Sequence, residues 1–296
     1  MTDAALAALW KALAPADGTP AFHPVRREED GTLYEGVWQV TVGGDRYFLK
    51  RAKEYEAEIY RTFFTQDRPY APKLLGSAAG EDGEYLLLEY IAGDNLQRAT
   101  LSGLAAAVES LSLMQNEFWE NQRLSHKGLS FEESFAQRKK RRNYLGSALL
   151  EKHYDEYLCM YERLPRTLCH GDLLPFNILV ADGRAVMIDW EVGGILPYPE
   201  SFARLIAHGR THGDLFRMTP KQRAFAVGRY YNQVAARRGI GREQFDRAIA
   251  LFVFAESCEW VYMGNRFGKE DCKFYPGYFR TALQAARKLE EGTSFI

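Results

Sequence analysis

Cysteine is scarce and unpatterned. The four thiols, Cys159, Cys169, Cys258 and Cys272, make no C-x-x-C pair and no zinc-like spacing. That argues against a disulfide scaffold or a structural zinc site and fits a chain kept reduced. An excess of charge of one sign is also missing. Lys and Arg number 38 against 39 Asp and Glu, a net charge of -1, so no global field selects nucleic acid or an anionic membrane as partner. No apolar run approaches the ~20 residues of a membrane span. The opening stretch, residues 1–13, lacks a basic region and carries Asp3, which predicts a short amphipathic helix and not a signal peptide. Internal repeats and low-complexity tracts are absent as well. The expectation is a cytoplasmic monomer or homodimer. Its 296 residues suffice for two modest domains, and the 46% hydrophobic and 26% charged content is that of an ordinary globular protein.

What is present is concentrated in one stretch. Residues 168–180, Leu-Cys-His-Gly-Asp-Leu-Leu-Pro-Phe-Asn-Ile-Leu-Val, are followed by Val-Met-Ile-Asp-Trp-Glu at 186–191. Residues 176–180 and 185–188 predict two short buried strands, with Ala181-Asp-Gly-Arg184 as the turn. A hairpin centred near Gly183 pairs positions summing to 366 and sets Asn177 opposite or beside Asp189, next to the loop carrying Asp172. Carboxylates are seldom left dry without a partner, and a hard divalent cation such as Mg²⁺ would take oxygens from Asp189 and Asn177. Asp172 is then left to orient a hydroxyl and accept its proton.

These residues resemble a known signature. His170-Gly171-Asp172 with Asn177 five positions after the Asp is similar to the H-G-D-x-x-x-x-N of the aminoglycoside phosphotransferase and choline kinase group. Protein kinases carry H-R-D-x-x-x-x-N there, and D-F-G where this chain has Asp189-Trp190-Glu191. The resemblance implies Asp172 as catalytic base, Asn177 and Asp189 as Mg²⁺ ligands and His170 as structural support of the loop. It implies ATP as phosphoryl donor, with GTP an alternative. Gly171 and Trp190, in place of Arg and Phe, resemble the small-molecule branch.

Earlier in the chain, three strands are expected over 21–27, 33–42 and 46–51, with Gly43-Gly44 in a tight turn. Alternation along the third puts Phe48 and Lys50 on one face and Tyr47 and Leu49 on the other, so Lys50 is partly buried and needs an anion. In the helix predicted over 54–65, Glu56 is the acid in an otherwise buried stripe with Ile59, Tyr60 and Phe63. Glu54 or Glu58 would replace it if the helix were rotated. The family's phosphate-positioning Lys–Glu pair maps onto Lys50 and Glu56. The turn at 29–32, with Gly31, and Gly36 would lie over the phosphates. The strand over 84–91 would end at a hinge where backbone around Glu89 and Ile91 meets the adenine.

From Leu96 onward the pattern is helical, with helices expected over 101–122, 128–149, 150–163, 220–238, 242–267 and 275–291. The basic run Arg138–Arg142 is expected to be a solvated helix face. In kinases resembling this one the last helices form the acceptor pocket, which makes Glu256, Glu259 and Trp260 candidates for binding a cationic amine, with Glu270 and Asp271 following. Such kinases commonly have an Asp near the start of the helix after the hairpin, where this chain has Ser201. The segment between Asp189 and that helix is short and lacks an A-P-E tripeptide, which disfavours a protein substrate.

The predicted fold is α+β and two-lobed, like a protein kinase. A small antiparallel nucleotide-binding lobe covers 1–91 and a helical catalytic and acceptor-binding lobe covers 92–296. The expected partner is a small hydroxyl acceptor, with cationic compounds among the candidates. A catalytically silent nucleotide-binding module and a protein kinase are the alternatives.

Overall fold

The computed structural model describes residues 2–13, 18–26, 31–120, 130–210, 216–270, 272 and 274–293. Its N-terminal part is a sheet with a helix on each face. Helix α1 (Asp3–Leu13) is followed by β1 (Ala21–Arg26), β2 (Leu33–Val42), β3 (Asp45–Arg51), α2 (Glu56–Phe63), β4 (Leu74–Gly80) and β5 (Gly83–Glu89). The strands pair antiparallel in the order β1-β2-β3-β5-β4. Gly43 and Gly44, at φ 58° and 99°, make the two-residue turn between β2 and β3. Such a turn needs positive φ, which glycine adopts freely.

The period-2 alternation divides the sheet between two cores. Val40, Val42, Leu49, Tyr85 and Leu87 meet Leu6, Leu9, Trp10 and Leu13 of α1. The opposite face sends Phe48, Leu86 and Leu88 into the main core with Ile59, Tyr60 and Phe63 of α2. Burying the four α1 side chains contributes roughly 1.5–3 kcal/mol each before entropy is charged against it. Lys50, on the second face, therefore looks toward the C-terminal part.

That part is mostly helical. It comprises β6 (Asp94–Asn95), α3 (Leu101–Glu117), α4 (Phe131–Arg142), α5 (Ala148–Arg163), β7 (Arg166–Cys169), β8 (Ile178–Ala181), β9 (Arg184–Met187), β10 (Gly194–Pro197), α6 (Pro199–Ala207), α7 (Pro220–Tyr230), α8 (Arg242–Phe267) and α9 (Tyr275–Glu290). Local chemistry sets several of the starts. Thr100 and Ser130 accept from backbone N–H groups three residues on, and Thr219 with Gln222 forms a full capping box ahead of Pro220. Beyond Tyr230, α7 runs on through a π turn (Tyr231–Ala235) and a 3₁₀ turn (Ala236–Arg238) to Gly239 in the left-handed region.

Some expectations need correction. The β8–β9 hairpin pairs Ile178 with Met187 and Ala181 with Arg184, so partners sum to 365. Asp182 and Gly183, at φ 52° and 75°, make a two-residue turn. A register centred on Gly183 would have needed an odd-length loop. Residue 177 accordingly lies across from Ile188, whose N–H reaches the Asn177 carbonyl at 2.9 Å. The helix expected over 128–149 ends at Arg142 and the next starts at Ala148, with Gly146 at φ 64° between them. Residues 128 and 129 lie outside the described ones. Strand β4 was not anticipated. The basic run is no uniformly solvated face, because Arg138 is buried and paired with Glu200, beside the Tyr157 hydroxyl at 2.8 Å. Among the described residues no helix is long and apolar enough to cross a membrane.

Candidate active site

The loop from Cys169 to Asn177 is fixed from three directions. At Gly171, φ is 79° and an added Cβ would fall 2.2 Å from the Val192 carbonyl oxygen, so only glycine fits between His170 and Asp172. The His170 backbone N–H donates to Ser201 Oγ at 2.8 Å, which gives Ser201 of α6 a loop-supporting contact. The His170 ring is wholly buried and donates from Nε2 to the Ile188 carbonyl at 2.7 Å. Its Nδ1 then faces the Asp172 N–H at 3.4 Å. Burial pushes the imidazole pKa down, more than the Ile188 carbonyl and the charges of Asp172 and Asp189 raise it. His170 is therefore a neutral strut. Its ring packs 4.5 Å from that of Trp190, itself buried and donating to the Met187 carbonyl at 2.8 Å.

Asp189 follows β9 with φ 67°, a left-handed conformation that a short polar side chain tolerates better than most. Its Oδ1 lies 2.6 Å from Lys50 Nζ, and Glu56 Oε2 lies 2.9 Å from the same nitrogen. Glu56 is completely buried and Lys50 nearly so. Burial disfavours the Lys50 charge, but Glu56 and Asp189 outweigh it and raise the pKa, so the ammonium stays protonated. Glu56 is pushed up by its own burial, against the pull of Lys50. For Asp189, burial acts upward, while the Lys50 ammonium beside it holds the carboxyl below its ordinary range. The predicted Lys50–Glu56 contact is thus present, and Asp189 joins it. Glu54, at φ 43°, precedes the helix and Glu58 lies beside Arg61.

Asn177 connects this group to Asp172. Its Nδ2 donates to the Asp172 carbonyl at 2.8 Å and sits 3.4 Å from Asp172 Oδ2. The amide nitrogen so engaged leaves Oδ1 as the free-standing oxygen. That oxygen and the Asp189 carboxylate are hard donors of the kind Mg²⁺ takes, one or two from protein and the rest from phosphate and water. No cluster of three or more His, Cys, Asp or Glu suited to a metal occurs among the described residues.

The other side of Asp172 carries a residue that the sequence reading missed. Arg204 of α6 places Nε 3.0 Å and one terminal nitrogen 2.8 Å from Asp172 Oδ1. Its other terminal nitrogen lies 2.7 Å from Glu256 and 3.0 Å from Glu259. The signal for it is a lone Arg on an apolar helix, facing two acids three residues apart on another. Glu256 also meets His208 Nε2 at 3.3 Å, and Glu259 meets Arg141 at 2.9 Å. Trp260 stacks on Tyr278 at 5.5 Å and meets Phe274 edge-on at 5.0 Å. Glu256 and Glu259, the acids expected at an acceptor pocket, thus both pair with Arg204, while Trp260 stands in an aromatic group beside them.

At the end of β5, the Glu89 N–H is taken by the Lys73 carbonyl at 2.9 Å. Ile91 follows in the connection to β6. Gly31 and Gly36 are both at positive φ on the β1–β2 side, and residues 29, 30 and 271 lie outside the described ones.

The arrangement defines a kinase-like phosphotransferase fold, in which Lys50 of the sheet, paired with Glu56 of α2, faces Asp189 after β9 and the loop bearing Asp172 and Asn177. Residues 25–236, more than half of the chain, match the family model described as phosphotransferase enzyme family. The protein belongs to that family. No curated protein matches the sequence significantly, but solved structures do. A choline/ethanolamine kinase family protein from Mesorhizobium loti is 17% identical with TM-score 0.65, over 98% of this chain and 94% of that one. An aminoglycoside phosphotransferase from Alicyclobacillus acidocaldarius is 13% identical with TM-score 0.57, over 91% of each chain. An amicoumacin kinase in complex with AMP-PNP and Ca²⁺ is 13% identical with TM-score 0.56, over 92% and 89%. These structures share the fold of this chain.

Proposed function

We propose that the protein transfers the γ-phosphoryl group of ATP to a hydroxyl of a small acceptor of the aminoglycoside, amino-alcohol or sugar class. GTP is the alternative donor. The observation that carries this reading is the continuous set of contacts from Lys50–Glu56–Asp189 through Ile188 and Asn177 to Asp172. It sets a phosphate-neutralising cation and a proton acceptor on two sides of one loop. In the reaction the acceptor oxygen forms a bond to the γ-phosphorus, the bond to the departing ADP oxygen breaks, and Asp172 receives the hydroxyl proton. Asn177 Oδ1 and Asp189 would hold Mg²⁺, which when bound neutralises charge on the phosphates. Lys50, fixed by Glu56, neutralises more of it. Little covalent chemistry falls to the protein, so positioning and electrostatics supply the rate.

The proposed nucleotide-binding lobe is 1–91 and the acceptor-binding lobe 92–296. With the Glu89 N–H already used, adenine recognition would fall to the Glu89 carbonyl and the Ile91 N–H. AMP-PNP in the amicoumacin kinase supports a nucleotide in this cleft. Only nine residues separate Asp189 from the first residue after them, Pro199 of α6, which leaves no room for a long peptide-docking segment.

A coupled ADP-release assay with Mg·ATP across aminoglycosides, amino alcohols and sugars tests the proposal. Acceptor-dependent release is expected, falling about 10²–10⁴-fold in Asp172→Asn with Mg·ATP affinity held within a few-fold. Undiminished turnover in that variant would remove Asp172 as base.

A further inference from the structure

Arg204 is the most heavily shared cation among the described residues near the loop. Its guanidinium carries five N–H donors in a rigid plane. Two nitrogens address Asp172 Oδ1, and the third addresses Glu256 and Glu259, all within 3.0 Å. Only 15% of the side chain is exposed. The glutamates are themselves held from behind. His208 Nε2 lies 3.3 Å from Glu256, with its Nδ1 2.7 Å from the Tyr278 hydroxyl, and Arg141 lies 2.9 Å from Glu259. An arginine anchored at both ends of its plane cannot swing away from Asp172. With Oδ1 taken by Arg204, Oδ2 is the oxygen turned toward Asn177 and free to meet a hydroxyl.

The occupied carboxylate oxygens favour this role over an acceptor pocket. Asp172, Glu256 and Glu259 carry three negative charges, and Arg204 with Arg141 supplies two positive ones within ion-pair distance. A cationic amine seated on the carboxylate oxygens that bind Arg204 would displace its guanidinium and leave it largely buried without those partners.

We infer that Arg204, pinned by Glu256 and Glu259, is the positioning residue for the Asp172 carboxylate, and that these glutamates serve phosphoryl transfer through it and do not receive the acceptor. The inference rests on Asp172 being the base. It extends that reading from one side chain to a network linking α6 and α8.

Two measurements test it. In the first, kcat and KM are determined for Mg·ATP with ethanolamine, kanamycin or water as acceptor. Arg204→Gln is expected to lower kcat about 10²-fold with acceptor KM within two-fold, about the scatter of such constants, while Arg204→Lys recovers part of the loss. Glu256→Gln and Glu259→Gln should also lower kcat and leave KM alone. A raised KM for ethanolamine or kanamycin at unchanged kcat in either glutamate variant would overturn the inference in favour of an acceptor pocket. In the second, a crystal structure of Arg204→Gln, or of Arg204→Lys if the first does not fold, should show the Asp172 carboxylate turned from its present orientation. An unmoved carboxylate would sink the inference whether or not any acceptor is turned over. Failure of Asp172→Asn to affect turnover would instead sink the reading beneath it.

Discussion

Two cations hold the two aspartates of the site, Lys50 at Asp189 and Arg204 at Asp172, and they are built differently. Lys50 shares a compact ammonium between Glu56 and Asp189, and the second partner is 36% exposed on its side chain. Arg204 shares a planar fork among three carboxylates, two of which have a further partner, His208 on Glu256 and Arg141 on Glu259. A point charge on a flexible stem can exchange one anion for another at small geometric cost, whereas a fork engaged on both edges cannot. The lysine side is suited to a partner that comes and goes, such as a nucleotide phosphate. The arginine side is suited to a part that must not move.

The sharpest way to break this contrast is to remove the exchangeable partner. Asp189→Ala should abolish metal-dependent nucleotide binding, measured calorimetrically with Mg·ATP. Unchanged affinity would contradict its ligand role. Lys50→Met comes next, with kcat/KM for ATP falling roughly 10²-fold, while Glu256→Gln leaves the KM for ATP as it was. An equal effect of both variants on that KM would erase the distinction between the two sides.

Acid titration gives the smallest effect and probes the rigid side alone. Burial by itself would raise the Glu256 pKa, but Arg204 and then His208 override it and bring it from 4.5 to about 2. A carboxylate depressed in the fold stabilises fully above its unfolded pKa and loses that contribution as protons bind the native state. Stability should therefore decline from about pH 4.5 toward 2 in urea titrations. The slope should be shallower over that window in Glu256→Gln, whose stability at neutral pH is lower. Parallel profiles would show that the Glu256–Arg204 contact contributes nothing to folding.

Much of the nucleotide side was legible from local pattern. The alternation at Tyr47–Lys50 and the single acid in the stripe of α2 are both short-range facts, and the structure keeps Lys50 and Glu56 as those facts require. The ends of β2, α8 and α9 follow from turn glycines and apolar periodicity in the same way. The hairpin register was missed by one residue because Asp182-Gly183 closes as a two-residue turn, a choice that the dipeptide permits but does not force. Strand β4, Leu-Leu-Gly-Ser-Ala-Ala-Gly, has few residues of high β-propensity and is held by pairing with β5. Arg204 and Arg138 were invisible for another reason. Arg204 is a lone cation on its helix and Arg138 one member of a basic run, the carboxylate partners of both lie on other elements, and a one-dimensional pattern says that a buried charge needs an anion without saying which.

Cys169 stands next to His170 at the base of the catalytic loop, wholly buried, with its Sγ directed at the Leu196 and Pro197 carbonyls. Burial, reinforced by the Glu200 charge, pushes its thiol up to about 12. At physiological pH it is a protonated filler with almost no thiolate. Electrophiles and mild oxidants therefore find no thiolate beside His170, and the exposed cysteine is Cys159 on α5. A covalent probe aimed at the reaction centre would have to engage a lysine or a carboxylate, not sulfur.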